Sequence, residues 1–202
     1  MAKRILLVRH GESIWNAAGR WQGAADPPLS DAGRAQARAL ASAVLHEGID
    51  SIVSSDLDRA RETGRIVAAA LTLPAPSVDE RWRERDVGEV SGHTRDEIEA
   101  KWPGLLEQWR RGELEAMPGG ETDITSRVVA ALEAVATSPD GACTLVVSHG
   151  GVIGAVDRWI GNPYLRVGNV QGRWLAVDDD GLISMAGVFS AAEDDDEAPV
   201  AL

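Results

Sequence analysis

The chain of 202 residues contains one cysteine, Cys143. That excludes an internal disulfide framework and a cysteine-based metal cluster. Cys143 opens an apolar run and reads as an inert core thiol. Cations are also scarce: 20 Lys and Arg face 32 Asp and Glu, for a net charge of −12. This balance argues against a general nucleic-acid binder and against docking on an anionic membrane. It leaves room for an anionic small molecule, because a local cluster of arginines can dominate one pocket. No apolar run approaches the roughly 20 residues needed to span a bilayer. The start carries Lys3 and Arg4 and then a short apolar run, too short for a signal peptide, so a cytoplasmic protein is expected. Much of the acidic excess lies in Asp178–Asp180 and Glu193–Glu197. The second block predicts a solvated, disordered tail over 191–202, behind a single domain over 1–190.

What is present begins with Ile5-Leu6-Leu7-Val8-Arg9-His10-Gly11-Glu12. A short apolar run that stops at a glycine reads as a buried strand opening into a loop. Thr144 to Gly151 repeats the pattern and ends in Ser148-His149-Gly150-Gly151. In an open α/β sheet, ligands bind at the carboxyl ends of strands. Two buried strands that each end in His-Gly are hard to explain by packing alone.

Between them, Ser13 to Pro28 reads as a loop. Ser30 reads as the N-cap of a helix that runs through Ala37, Leu40, Ala41, Val44 and Leu45 and ends at Gly48. Ile49 to Val53 is a second short strand. The next helix carries Arg59 in its first turn, a place that favours anions, so the arginine makes sense beside a bound anion. Val78 fits a short edge strand. Arg81 to Gly92 reads as a charged loop around Glu84. That residue is either part of a surface salt-bridge network or, against an apolar wall, a general acid. Two short helices broken at Pro103-Gly104 are expected over 94–109, and a helix opening at Glu121 with Ile124, Val128, Ala131, Leu132 and Val135 buried. A helix over 152–160 and a strand pair turning at Asp178 to Gly181 complete the order. The alternation predicts an α/β fold, a three-layer α/β/α sandwich with a mostly parallel central sheet.

An arginine-flanked histidine suits attack on an anionic phosphorus centre. His10 and His149 lack the spacing and the cysteine neighbours of a metal site. Arg9, Arg59 and a protonated His149 could neutralise the transferring group, and Glu84 could protonate the departing alkoxide.

Arg9-His10-Gly11-Glu12, Ser55 to Thr63 and Ser148-His149-Gly150-Gly151 resemble the histidine phosphatase superfamily, the phosphoglycerate-mutase-like family. Glu84-x-x-x-Gly88-x-x-x-Gly92 and Pro118-Gly119-Gly120-Glu121 match two further signatures, in order along the chain. The resemblance implies a mixed sheet with one antiparallel strand and no cofactor or metal. It implies His10 as nucleophile, Arg9, Arg59 and His149 as phosphate ligands and Glu84 as proton donor. Asn16, Gln22, Gly23 and Gly150 are implied as substrate-binding residues, with Arg20 and Glu121 at the rim. Trp82 and Val90 depart from the family pattern. The interval 93–117 is shorter than in the mutase branch, and Arg110-Arg111 is not followed by the mutase pattern. A phosphatase acting on a small phosphomonoester is therefore expected ahead of a mutase or a phosphate-binding scaffold. Trp15, Trp21, Trp82, Trp102 and Trp109 are expected pocket walls, and the final strand pair or the Trp-rich helices a possible homodimer face.

Overall fold

Strand β1 (Lys3–Arg9) occupies an interior position because its apolar residues Ile5 to Val8 are all fully buried. Such a run has no polar face to offer water, so helices must cover both sides. The computed structural model describes residues 3–163 and 166–191. After β1 come a one-turn helix α1 (Ile14–Ala17), α2 (Asp31–Ala43), β2 (Ser51–Ser54), α3 (Asp58–Leu71) and the short β3 (Ser77–Val78). Two 3-10 turns, Glu80–Trp82 and Gly88–Val90, precede α4 (Arg95–Lys101), α5 (Leu105–Arg110) and α6 (Thr125–Thr137). The chain then forms β4 (Cys143–Ser148), α7 (Gly150–Trp159), β5 (Gln171–Val177) and β6 (Ile183–Ser190).

The sheet order is β3-β2-β4-β1-β5-β6. β1, β2, β3 and β4 pair in parallel, and β5 runs antiparallel to both β1 and β6. The expected mixed sheet with one reversed strand is thus present. Ile5, Leu7 and Val146 pack with α6 and α7 on one face. Leu6, Val8, Leu145 and Val147 pack with α2 and α3 on the other. A third cluster, with Trp21, Val87, Ile98, Leu106 and Met117 buried, stands beside the sandwich and includes α4 and α5. Cys143 is buried, which pushes its thiol pKa up. Among the described residues no helix is long and apolar enough to cross a membrane.

Three local expectations are corrected. α2 stops at Ala43 rather than Gly48, with turns over 44–48, and Leu45 is exposed. Residues 14–17 form a helical turn inside the expected loop, closed by a capping box in which Ser13 accepts from Asn16 N–H. α6 opens at Thr125, not Glu121, although its buried face is the one expected. Backbone docking holds Pro118 to Glu121 out of the helix: Glu89 N–H donates to Pro118 O and Glu121 N–H to Asp86 O. The acidic tail beyond Ala191 lies outside the described residues.

Candidate active site

The register of the sheet brings the site together. Arg9 lies opposite Ser148 and Ser54 opposite Val147, in adjacent parallel strands. The residues that follow each strand, His10, His149 and Ser55, therefore emerge side by side at one sheet edge. β5 runs the other way, so the segment entering it reaches the same edge. Asn169 Nδ2 donates to His10 O at 2.9 Å, and Arg9 donates to Val167 O at 2.9 Å.

His10 is buried with its ring fixed at both nitrogens. Nδ1 lies 2.6 Å from Gly11 O, a carbonyl that can only accept, so Nδ1 carries the proton. Nε2 is then a lone pair, and it accepts from Arg59 Nε–H at 3.1 Å. Burial, then Arg59 and Arg9, hold the His10 pKa well below 6.5. Gly11 permits a close backbone approach to α2: a Cβ there would sit 2.4 Å from Gly33 O.

Arg59 is fully buried, yet its guanidinium is satisfied. It donates to Ala25 O at 2.6 Å and Gly23 O at 2.8 Å as well as to His10. Burial lowers its pKa to about 10, so it remains a cation at neutral pH. Gly23, at φ +53°, packs where a side chain would strike Val87.

His149 corrects the expectation of a protonated ligand. It is fully buried, and burial followed by Arg59 and His10 holds its pKa well below 6.5. Its ring meets that of His10 edge-on, centroids 5.0 Å apart. Nε2 lies 2.9 Å from Ser55 Oγ, which already accepts from Leu57 N–H. The hydroxyl hydrogen is free to donate to Nε2, which leaves Nδ1 as a buried N–H without a partner among the described residues.

Glu84 is half-buried and takes part in no salt bridge among the described residues. Arg83 pairs with Asp56 instead. Glu84 accepts from Arg85 N–H at 2.8 Å and from Gly151 N–H at 3.0 Å. The surface-network alternative is therefore not what the fold builds. Glu121 supports the turn indirectly. It pairs with Arg127 at 2.7 Å, and Arg127 donates to the carbonyls of Arg81 and Arg83.

These groups face a cleft of about 670 Å³. Arg9, His10, Asn16, Gln22, Gly23, Arg59, Glu84 and Gly150 line it; His149 does not, and stands behind His10. Asn16 and Gln22 both turn their side-chain oxygens to Ser13 Oγ. Of the five expected tryptophan walls only Trp21 and Trp109 line the cleft. Trp82 is sealed in the core, Trp15 packs at Gly92, and Trp102 lies edge-on to His93. Sequence reasoning passed over Gly151, where a Cβ would meet Glu84 Oε1 at 2.3 Å. The doubled glycine after His149 was the available signal. Ser55 was also missed as the partner of His149. Among the described residues no group of His, Cys, Asp and Glu is placed to hold a metal ion.

The model of the histidine phosphatase superfamily, branch 1, matches residues 5–174. The chain belongs to that superfamily. It is 38% identical over 160 residues to a probable phosphoglycerate mutase of Yersinia pestis, covering 76% of this chain and 72% of that protein. A mycobacterial glucosyl-3-phosphoglycerate phosphatase superposes with a TM-score of 0.84 at 30% identity, over 95% of this chain and all of that one (100%). A putative alpha-ribazole-5'-P phosphatase from Escherichia coli gives 0.81 at 25% identity, over 95% and 98%.

Proposed function

We propose that the protein hydrolyses a small phosphomonoester through a phosphohistidine on His10. The observation that carries this reading is the His10 ring: Nδ1–H is anchored on Gly11 O and Nε2 presents a neutral lone pair beside Arg59. A neutral imidazole attacks phosphorus without first losing a proton. Nε2 forms the N–P bond as the ester P–O bond breaks. Glu84, in its acid form, gives its proton to the departing alkoxide oxygen. Arg9 and Arg59, which line the cleft on either side of His10, offset the charge on the non-bridging oxygens. Water then attacks phosphorus, Glu84 takes its proton, the N–P bond breaks, and inorganic phosphate leaves with His10 restored. The same residues hold the charge in both steps, and no step calls for a metal.

A second reading, phosphoryl transfer back to the substrate, is favoured by the naming of the 38% identical relatives as probable phosphoglycerate mutases. The shorter 93–117 interval and the broader coverage of solved phosphatases support hydrolysis instead. Phosphate release from an aryl phosphomonoester in chelator, by wild type and His10→Ala, is the deciding assay. Release by wild type and its loss in His10→Ala supports hydrolysis; release that survives the substitution overturns the nucleophile. Label retained on phosphoglycerates without phosphate release would favour transfer.

A further inference from the structure

The cleft has more positive charge than one phosphoryl group needs. It is lined by seven arginines and a single carboxylate, Glu84, in a chain of net charge −12. Arg9 and Arg59 flank His10. Arg20 and Arg110 are neutralised at the rim by Glu97 at 2.9 Å and Glu107 at 2.7 Å. Arg85 and Arg158 differ from these. Arg85 stacks 5.4 Å from the Trp109 ring and donates to Glu121 O at 3.0 Å, while the Glu121 carboxylate is committed to Arg127. The side chain of Arg158, an exposed residue near the end of α7, makes no hydrogen bond or ion pair among the described residues. The two cations lie close enough to repel: after burial, Arg158 is the largest cause lowering the Arg85 pKa. Two like charges facing one cleft whose lining holds a single carboxylate, Glu84, form a site that an anion would complete.

Position sets the length of what could fill it. Gly150, Gly154 and Arg158 all line the cleft and follow one another at i+4 spacing along α7. Eight residues of helix separate the reaction centre from Arg158, a rise of about 12 Å. The cleft lining also has apolar surface, from Trp21, Val87, Trp109 and Leu114.

We infer that Arg158 and Arg85 form a second anion subsite, and that the preferred ligand is a phosphomonoester bearing a second anionic group, carboxylate or phosphate, across a neutral spacer of roughly 10 Å. The inference rests on His10 as the phosphoryl site.

The test is calorimetric binding of ω-phosphonooctanoate and its terminal carboxamide, which are not hydrolysed, to wild type, Arg158→Ala and Arg158→Lys. The acid should bind wild type about tenfold tighter than the amide, the size of one charge-assisted contact. In Arg158→Ala the ratio should fall to about one, and Arg158→Lys should retain part of it. Octane bisphosphonate in place of the acid distinguishes a terminal phosphate from a carboxylate. Equal binding of acid and amide to wild type, or the same ratio in Arg158→Ala, would overturn the subsite. The matching phosphate esters separate the two readings. A binding preference that persists while wild type releases no phosphate removes the hydrolase and keeps the subsite. Release from both esters at one rate, with no binding preference, does the reverse.

Discussion

Arg59 Nε donates to His10 Nε2 across 3.1 Å, so the atom proposed to attack phosphorus is held by a buried cation before any substrate arrives. The bond aims the imidazole, and the charge helps keep it neutral. An incoming phosphoryl oxygen must draw that N–H away from the lone pair, which frees the nucleophile as the anion is seated. Arg59→Lys keeps a charge but loses the planar fork that also holds Ala25 O and Gly23 O. It should lower kcat/KM by about 100-fold or more, a loss of one aligned donor in the transition state. A fall of less than about fivefold in steady-state kinetics would remove Arg59 from the reacting centre.

Gly151 places Glu84 by having no side chain. Its N–H bonds Glu84 Oε2, and a Cβ would lie 2.3 Å from Oε1. Gly151→Ala should displace the carboxylate while the helix, which favours alanine over glycine, still forms. A proton donor matters most when the leaving group is a poor one. Gly151→Ala and Glu84→Gln should therefore each slow alkyl phosphate hydrolysis by about 100-fold and an activated aryl phosphate far less. Equal losses on both substrates would show that Glu84 is not the proton donor.

The parts of this site legible in the sequence are those carried by the backbone immediately after a strand. Ile5 to Val8 and Thr144 to Ser148 announce buried strands, so the place of His10 and His149 follows from where the apolar runs stop. Arg59 was legible as a cation at the wrong end of a helix. The state of His149 was not, because neutrality there comes first from burial by the surrounding fold and then from the nearby charge of Arg59. The start of α6 was missed for a similar reason. Glu121 looks like a first-turn acid, but Gly119 and Gly120 dock against Asp86 to Gly88 and hold it outside the helix. Trp82 and Trp102 could not be told from Trp109 by residue type, since their roles are set by which cluster they join. Arg158 is unremarkable in sequence and gains meaning only from the cleft.

The two buried histidines tie stability to pH. Both have folded pKa values well below the ordinary 6.5, with burial the largest cause. Below pH 6.5 the unfolded chain binds protons that the folded chain refuses, so stability must fall as pH drops towards the folded values; above that it is fully present. The slope should reach at most about 1.4 kcal/mol per pH unit for each ring. Urea denaturation between pH 7.5 and 5 measures it, a window above the Asp56 and Asp79 carboxylates, which are held below their ordinary 3.8. His10→Gln and His149→Gln should each flatten the curve. A flat wild-type curve would mean that both rings take up protons in the folded protein as readily as in the unfolded chain.

Arg173 and Asp157 make a bidentate pair, at 3.1 and 3.0 Å, that joins β5 to α7 inside the protein. Their side chains are 4% and 0% exposed, so neither charge can turn to water if the other is removed. Asp157→Ala removes the carboxylate that neutralises a buried guanidinium and should cost about 3–5 kcal/mol in chemical denaturation. Replacing both residues with apolar ones of similar volume should recover most of that loss, because the cost lies in the buried, uncompensated charge more than in the missing attraction. α7 also carries Gly150, Gly151 and Arg158, so the single variant should loosen the cleft as well as the core. The double variant separates the two effects. If it regains stability without regaining activity, the ion pair sets the position of α7 over the site; if both return together, apolar packing at this contact is sufficient to hold the helix.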